Sequence, residues 1–87
     1  MNSAVAVEFL GTALLAAAVA FTGNPTLVVA ALAVALGFGA KVSGGHFNPA
    51  VTILQYLAGK VGQTKALSYI AAQVAAAGMI FGLSRYV

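Results

Sequence analysis

The sequence has no cysteine, and among its 87 residues only one is acidic, one is histidine and four are basic. Without cysteine the chain offers neither a disulfide nor a thiolate metal ligand. It also has no nucleophile–base pair, no cluster of metal ligands and no phosphate-binding loop, so we expect no enzyme and no metal or other cofactor. The basic residues are too sparse for a nucleic-acid site and are more typical of membrane edges: Lys41, Lys60, Lys65 and Arg85.

Apolar residues make up 62% of the chain, more than a soluble domain of this size could bury. Three apolar stretches, at about 4–22, 26–42 and 65–84, are long enough for membrane-spanning helices. The sequence therefore predicts an all-α, multi-pass integral membrane protein that lies in the lipid bilayer. A secretory signal peptide is an alternative for the first stretch, but no basic segment precedes it and Glu8 interrupts its apolar core.

One polar, turn-rich segment interrupts these stretches, Ser-Gly-Gly-His-Phe-Asn-Pro-Ala-Val-Thr at 43–52. Asn48 is a favoured N-cap and Pro49 suits the first helical position, so we predict a short helix that starts here and ends near Ala58. About ten helical residues span roughly 15 Å, half of a hydrocarbon core of about 30 Å. The segment 43–58 is therefore predicted to form a re-entrant loop followed by a half-helix.

Two further groups accompany this segment, Glu-Phe-Leu-Gly-Thr at 8–12 and Tyr-Ile-Ala-Ala-Gln at 69–73. With these three groups the sequence resembles the aquaporin (major intrinsic protein) family, whose members carry two inverted repeats of three spans and one Asn-Pro-Ala half-helix each. The likeness covers essentially the whole chain, but only the first repeat of an ordinary member. It implies a single repeat and a passive channel for water or small uncharged solutes.

One such repeat supplies only half of a pore. The backbone of a re-entrant loop is tolerated in a membrane only inside protein or beside a water-filled cavity. Because three spans leave the termini on opposite sides, we expect an inverted second copy to complete the pore, related by a two-fold axis in the membrane plane. The hypothesis is an antiparallel homodimer with two Asn-Pro-Ala motifs.

The alternative to this homodimer is a separate partner that supplies the second half. If the N-terminus is cytoplasmic, Lys41, Lys60 and Lys65 lie inside and only Arg85 lies outside, and this three-to-one distribution opposes a dual orientation. The resemblance implies a tetramer with four pores, so this chain is expected to form an octamer, a tetramer of antiparallel dimers. The small-residue pair Gly78 and Gly82 is suited to close helix packing in such an assembly.

The resemblance assigns roles to the central segment. Asn48 of each copy would donate its amide N–H groups to water. Pro49 and Ala50, the other two residues of the motif, form the start of each half-helix, and the partial positive charge at this N-terminal end opposes cations and protons. The His46 side chain is expected to be a hydrogen-bonded structural group, and Phe47 a packing residue. Backbone carbonyls are expected to line the approach to the motif at Gly44, Gly45 and His46.

Glu8 is an acid inside a membrane span, which is costly unless it has partners. The resemblance implies that Glu8 holds the re-entrant loop by accepting hydrogen bonds from its backbone N–H groups, and that Gln73 supports the same loop. Two alternatives to a channel stay open: a small dual-topology proton-coupled transporter that uses Glu8, and a purely structural membrane oligomer.

The sequence departs from the family at the selectivity constriction. Ordinary members combine residues of both repeats there, including an arginine shortly after the second Asn-Pro-Ala. Counted from Asn48, the corresponding positions hold glycine and aliphatic residues: Val28, Leu36, Gly45 and Val51. We therefore expect passage of small uncharged solutes, or a hydrophobic gate that wets poorly.

Overall fold

The computed structural model describes residues 2–87, which form four α-helices and no strand. The helices are α1 (Ser3–Phe21), α2 (Pro25–Ser43), α3 (Pro49–Leu57) and α4 (Gln63–Ser84). Helices α1, α2 and α4 are long and apolar enough to cross a membrane. With its nine residues α3 is only about 13.5 Å long. The predicted fold class of three spanning helices and one half-helix is confirmed.

Local chemistry explains where α2 and α3 begin and where α2 ends. Both α2 and α3 start at an Asn-Pro pair: the side-chain oxygens of Asn24 and Asn48 accept backbone N–H groups of the first turn, and a proline follows at the first helical position. Gly44 ends α2 in the left-handed conformation, with φ of 92°, which glycine adopts without a steric penalty. The chain can therefore turn abruptly out of α2 and into the segment that leads to α3.

The helices form an open row in the order α2, α1, α4, α3. Helix α1 packs against α2 on one side and α4 on the other, and α3 packs only against α4. Helix α2 and helix α3, at the two ends of the row, do not pack against each other within residues 2–87. The loop 44–48 joins these two ends across the inner face of α1.

Polar side chains occupy much of the interior beside small apolar ones, whereas most large apolar side chains are on the outside. The largest fully buried side chains are those of Tyr69, Phe47, Gln73, Glu8 and Thr52, and only two of these five are aromatic. Exposed leucine, valine, isoleucine and phenylalanine side chains occur on all four helices. Lipid is as apolar as these side chains, so a bilayer does not drive them inward. The buried polar residues, which converge on the re-entrant loop, form the candidate site.

The Gly78 and Gly82 pair makes no close helix contact within residues 2–87. A Cβ atom built at either glycine would meet no other atom within 4 Å. Its packing role stays a prediction about contacts with another chain.

Candidate functional site

The carboxylate of Glu8 lies at the centre of the interior, with none of its surface exposed. Its Oε2 atom accepts the Ser43 hydroxyl at 2.6 Å and the His46 backbone N–H at 3.0 Å. Its Oε1 atom accepts the Phe47 backbone N–H at 2.7 Å and the Gln73 side-chain N–H at 2.9 Å. An ionised carboxylate has about four lone-pair sites, so these four donors saturate it. The structure therefore brings Glu8, Gln73 and the loop together.

The loop residue Phe47 has an unusual backbone and a closely fitted ring. Its φ of 52° is in the left-handed region, which costs a non-glycine residue about 1–2 kcal/mol. The ring lies between α1 and α2: a Cβ at Gly39 would come within 2.7 Å of it, and a Cβ at Gly11 would overlap it. Two glycines on facing helices thus make the space for Phe47, and its N–H group reaches Glu8.

A second set of hydrogen bonds joins the loop to α3 and α4. The Gln73 Nε2 atom donates to the Thr52 hydroxyl at 3.0 Å, and His46 Nδ1 lies 2.8 Å from the same hydroxyl oxygen. The Thr52 hydroxyl can donate to His46 Nδ1 or accept from it, and in either direction this hydrogen bond ties the ring to α3. The contact supports the expected structural role of His46.

Tyr69 ties α4 to the end of α2. Its hydroxyl donates to the Ser43 carbonyl oxygen at 2.6 Å, and its ring lies edge-on to His46 with 5.0 Å between ring centroids. No role was predicted from the sequence for Ser43, Thr52 or Tyr69, although all three belong to the groups of residues that carry the resemblance. Their signal was a polar side chain within an apolar helix.

Asn48 lies apart from this network. Its Oδ1 atom accepts the Ala50 backbone N–H at 2.8 Å and so caps α3, while the residue is exposed. No hydrogen bond within residues 2–87 uses its Nδ2 atom, so both amide N–H groups are available. Pro49 is half-buried and Ala50 is exposed beside it.

The four constriction candidates do not meet within one chain. Leu36 contacts the loop: a Cβ at Gly45 would lie 2.7 Å from its Cδ2 atom, and the φ of 65° at Gly45 also favours glycine. Val28 is two turns away along α2. Val51 is on α3, which does not pack against α2. Any constriction made of these residues needs a second chain or repeat.

The central segment and its polar contacts lie within a region that matches a known family. Residues 1–85 match the family model described as "Major intrinsic protein". The chain belongs to the major intrinsic protein family. The family consists of integral membrane channels, so the predictions of membrane localisation and of a non-enzymatic protein are confirmed.

Three relatives illustrate the extent of the likeness to other major intrinsic proteins. The chain is 39% identical to glycerol uptake facilitator protein-like 6 of Lactiplantibacillus plantarum, over 77% of this chain and 35% of that protein. It is 38% identical to the probable aquaporin TIP4-1 of Oryza sativa subsp. japonica, over 91% of this chain and 31% of that protein. It is 35% identical to aquaporin-5 of Sus scrofa, over 93% of this chain and 37% of that protein.

The matched region is about one third of each of these relatives. No solved structure matches the chain.

Proposed function

We propose that this chain forms one half of a passive membrane channel for water or small uncharged solutes, and that an inverted second copy supplies the other half. The observation that carries this proposal is the exposed, capped N-terminus of the half-length helix α3, which follows a loop held by Glu8. Such a loop needs protein or water around it in a membrane. A water-filled pore along the loop meets that need.

The loop backbone presents acceptors for a permeating molecule. The N–H groups of Gly45, His46 and Phe47 are bound by interior side chains, at Ser43 and Glu8. No hydrogen bond within residues 2–87 uses the carbonyl oxygens that we expected to line the pore. Water passing along the loop could therefore donate to these three oxygens, at Gly44, Gly45 and His46.

The N-terminus of α3 presents the complementary donors. With Oδ1 engaged in the cap, the Nδ2 group of Asn48 can donate to the oxygen of a water or solute. The N-terminal end of a helix also carries a partial positive charge, which opposes cations and protons. Carbonyl acceptors followed by an amide donor suit neutral molecules that both donate and accept hydrogen bonds.

The arrangement of helices favours an inverted copy as the second half. Helices α2 and α3 leave their outer faces uncovered at the two ends of the row, and α3 crosses only half of the bilayer. An inverted copy would bring its own α3 from the opposite side, so that the two helix N-termini meet near the midplane. Each mouth would then combine aliphatic and glycine residues of both copies, drawn from Val28, Leu36, Gly45 and Val51.

Proton-coupled transport through Glu8 is less well supported. The carboxylate is fully buried and has a donor at each of its acceptor positions. A proton carrier must release and rebind its proton, which would require breaking the contacts that hold the loop. We therefore assign Glu8 to the stability of the loop.

The substitution Asn48→Asp tests the channel, with Asn24→Asp as its matched control. Aspartate caps a helix as well as asparagine, so neither change should unfold the protein. Asn48→Asp removes the amide donors and adds a negative charge at the proposed midplane, whereas Asn24 caps α2 in the connection between α1 and α2.

In proteoliposomes made with this chain alone, osmotic volume changes measured by light scattering should show a several-fold loss of water or solute flux for Asn48→Asp only. Flux through Asn48→Asp equal to that of the unmodified chain would contradict the pore role.

A further inference from the structure

One face of α4 is covered by α3 in only half of the membrane. Near the start of α4, Ala66 and Ile70 line a groove shared with α3, and Gln73 donates a hydrogen bond to Thr52 in the first turn of α3. From Gln73 to Ser84 the helix continues for about 16 Å. The same face carries side chains at helical spacing with no α3 over them: Val74, Ala77 and Phe81.

A groove of about 310 Å³ lies beside this uncovered face, between the second halves of α1 and α4. Its walls are small or apolar, with Leu15 and Ala16 on α1 and Ala77 and Phe81 on α4. It extends from Thr12 to Ala20 along α1, about 12 Å at 1.5 Å per residue. The groove therefore has nearly the length of α3 and occupies the half of the membrane that α3 of the same chain does not reach.

The inner end of the groove contains an unpaired polar group. The Thr12 hydroxyl is buried and has no hydrogen-bond partner within residues 2–87. A buried hydroxyl without a partner destabilises the fold. A partner that brings an N–H group to this depth would remove that cost, whereas a lipid acyl chain would not.

Helix α3 has a second apolar face of its own. Ile53 and Tyr56 point to α4 of the same chain, while Leu54 and Leu57 lie on the opposite side, 62% and 75% exposed. Their spacing of three residues places them on one face. This face has no partner within residues 2–87.

We propose that the Leu54–Leu57 face of α3 from an inverted second copy packs into the α1–α4 groove and against Phe81. The inference rests on the proposed function and assigns the surface through which the two copies meet. The incoming helix would enter from the opposite side of the membrane, run parallel to the second half of α4, and bring its N-terminal N–H groups to the level of Thr12. Two symmetric contacts of this kind would cover both half-helices.

Disulfide formation between singly substituted chains tests this contact, because the chain has no cysteine of its own. One tagged chain carries Leu54→Cys and a differently tagged chain carries Phe81→Cys, and both are reconstituted together and oxidised. A disulfide requires Cα atoms within about 7 Å. The matched control is Met79→Cys, which is also exposed and lies at nearly the same height on the other side of α4.

Mixed disulfide dimers should form between the Leu54→Cys and Phe81→Cys chains, and in several-fold lower yield between the Leu54→Cys and Met79→Cys chains. Equal yields of the two mixed dimers would overturn the contact. The absence of a dimer between the Leu54→Cys and Phe81→Cys chains would also overturn it, and this is the result expected if lipid fills the groove. Osmotic flux of the unmodified chain separates the two proposals: flux without the Phe81→Cys disulfide refutes only this contact, and the disulfide without flux refutes only the channel.

Discussion

Replacement of Glu8 is the most direct test of how the re-entrant loop is held. The substitution Glu8→Ala removes an acceptor from four donors at once. Two of these donors have another partner: the Ser43 hydroxyl also lies 3.3 Å from the Gly39 carbonyl oxygen, and Gln73 Nε2 also donates to Thr52. The backbone N–H groups of two loop residues, 46 and 47, have none.

The cost can be worked out from these two groups. A buried donor left unpaired costs about 1–3 kcal/mol, so Glu8→Ala should lower the free energy of unfolding by about 2–6 kcal/mol. Glu8→Gln should cost less, because the amide oxygen can still accept from Phe47 and Gln73 while its NH₂ group donates to a rotated Ser43 hydroxyl. Only the His46 N–H then loses its acceptor, at about 1–3 kcal/mol.

The measurement is equilibrium unfolding in mixed detergent micelles, followed by far-UV circular dichroism. Leu10→Ala is the control, because Leu10 is exposed on the same helix and surface substitutions usually change stability by within about 0.5 kcal/mol. The expected order of stability places the unmodified chain and Leu10→Ala first, then Glu8→Gln, then Glu8→Ala. If Glu8→Ala were as stable as Leu10→Ala, the loop would not depend on the carboxylate and the reasoning would be refuted.

Two further predictions concern the packing of the loop. Gly11→Ala should destabilise the protein by about 1–3 kcal/mol, because its Cβ atom would overlap the Phe47 ring. Gly37→Ala is the control: its Cβ atom would lie in open space, so it should stabilise the protein by about 0.5–1 kcal/mol. Melting temperatures of the two variants that move in the same direction would contradict this. Tyr69→Phe should cost about 0.5–1.5 kcal/mol by removing the bond to the end of α2, and Tyr56→Phe, at an exposed ring, should cost less in the same unfolding measurement.

Much of the architecture could be predicted because local signals set it. Hydrophobic length determines three spans, and the Asn48-Pro49 pair determines where the half-helix begins. The left-handed backbone of Phe47 could not be predicted in this way. It depends on space made by Gly11 and Gly39, which lie on two other helices, and no local pattern connects these positions.

The polar contacts also include some that a local signal predicts and others that depend on distant segments of the chain. An acid inside a span indicated that Glu8 needs partners, but not that its four donors come from four different residues. A threonine in a short helix gives no local signal of a role, and the Thr52 hydroxyl gains one only because His46 and Gln73 reach it from separate segments. Roles in permeation for these residues stay predictions until flux is measured.

The separations along the chain between Glu8 and its partners have a consequence for biosynthesis. The donors at Ser43, His46 and Phe47 are 35 to 39 residues from Glu8, whereas Gln73 is 65 residues away. Because a chain leaves the ribosome from its N-terminus, the loop can meet Glu8 before the last span exists. Gln73 and Tyr69 arrive afterwards and add their hydrogen bonds to a loop that is already in place. Insertion of α4 is therefore the step that completes the buried network, and a nascent chain arrested before residue 69 should hold its re-entrant segment less firmly than the finished protein.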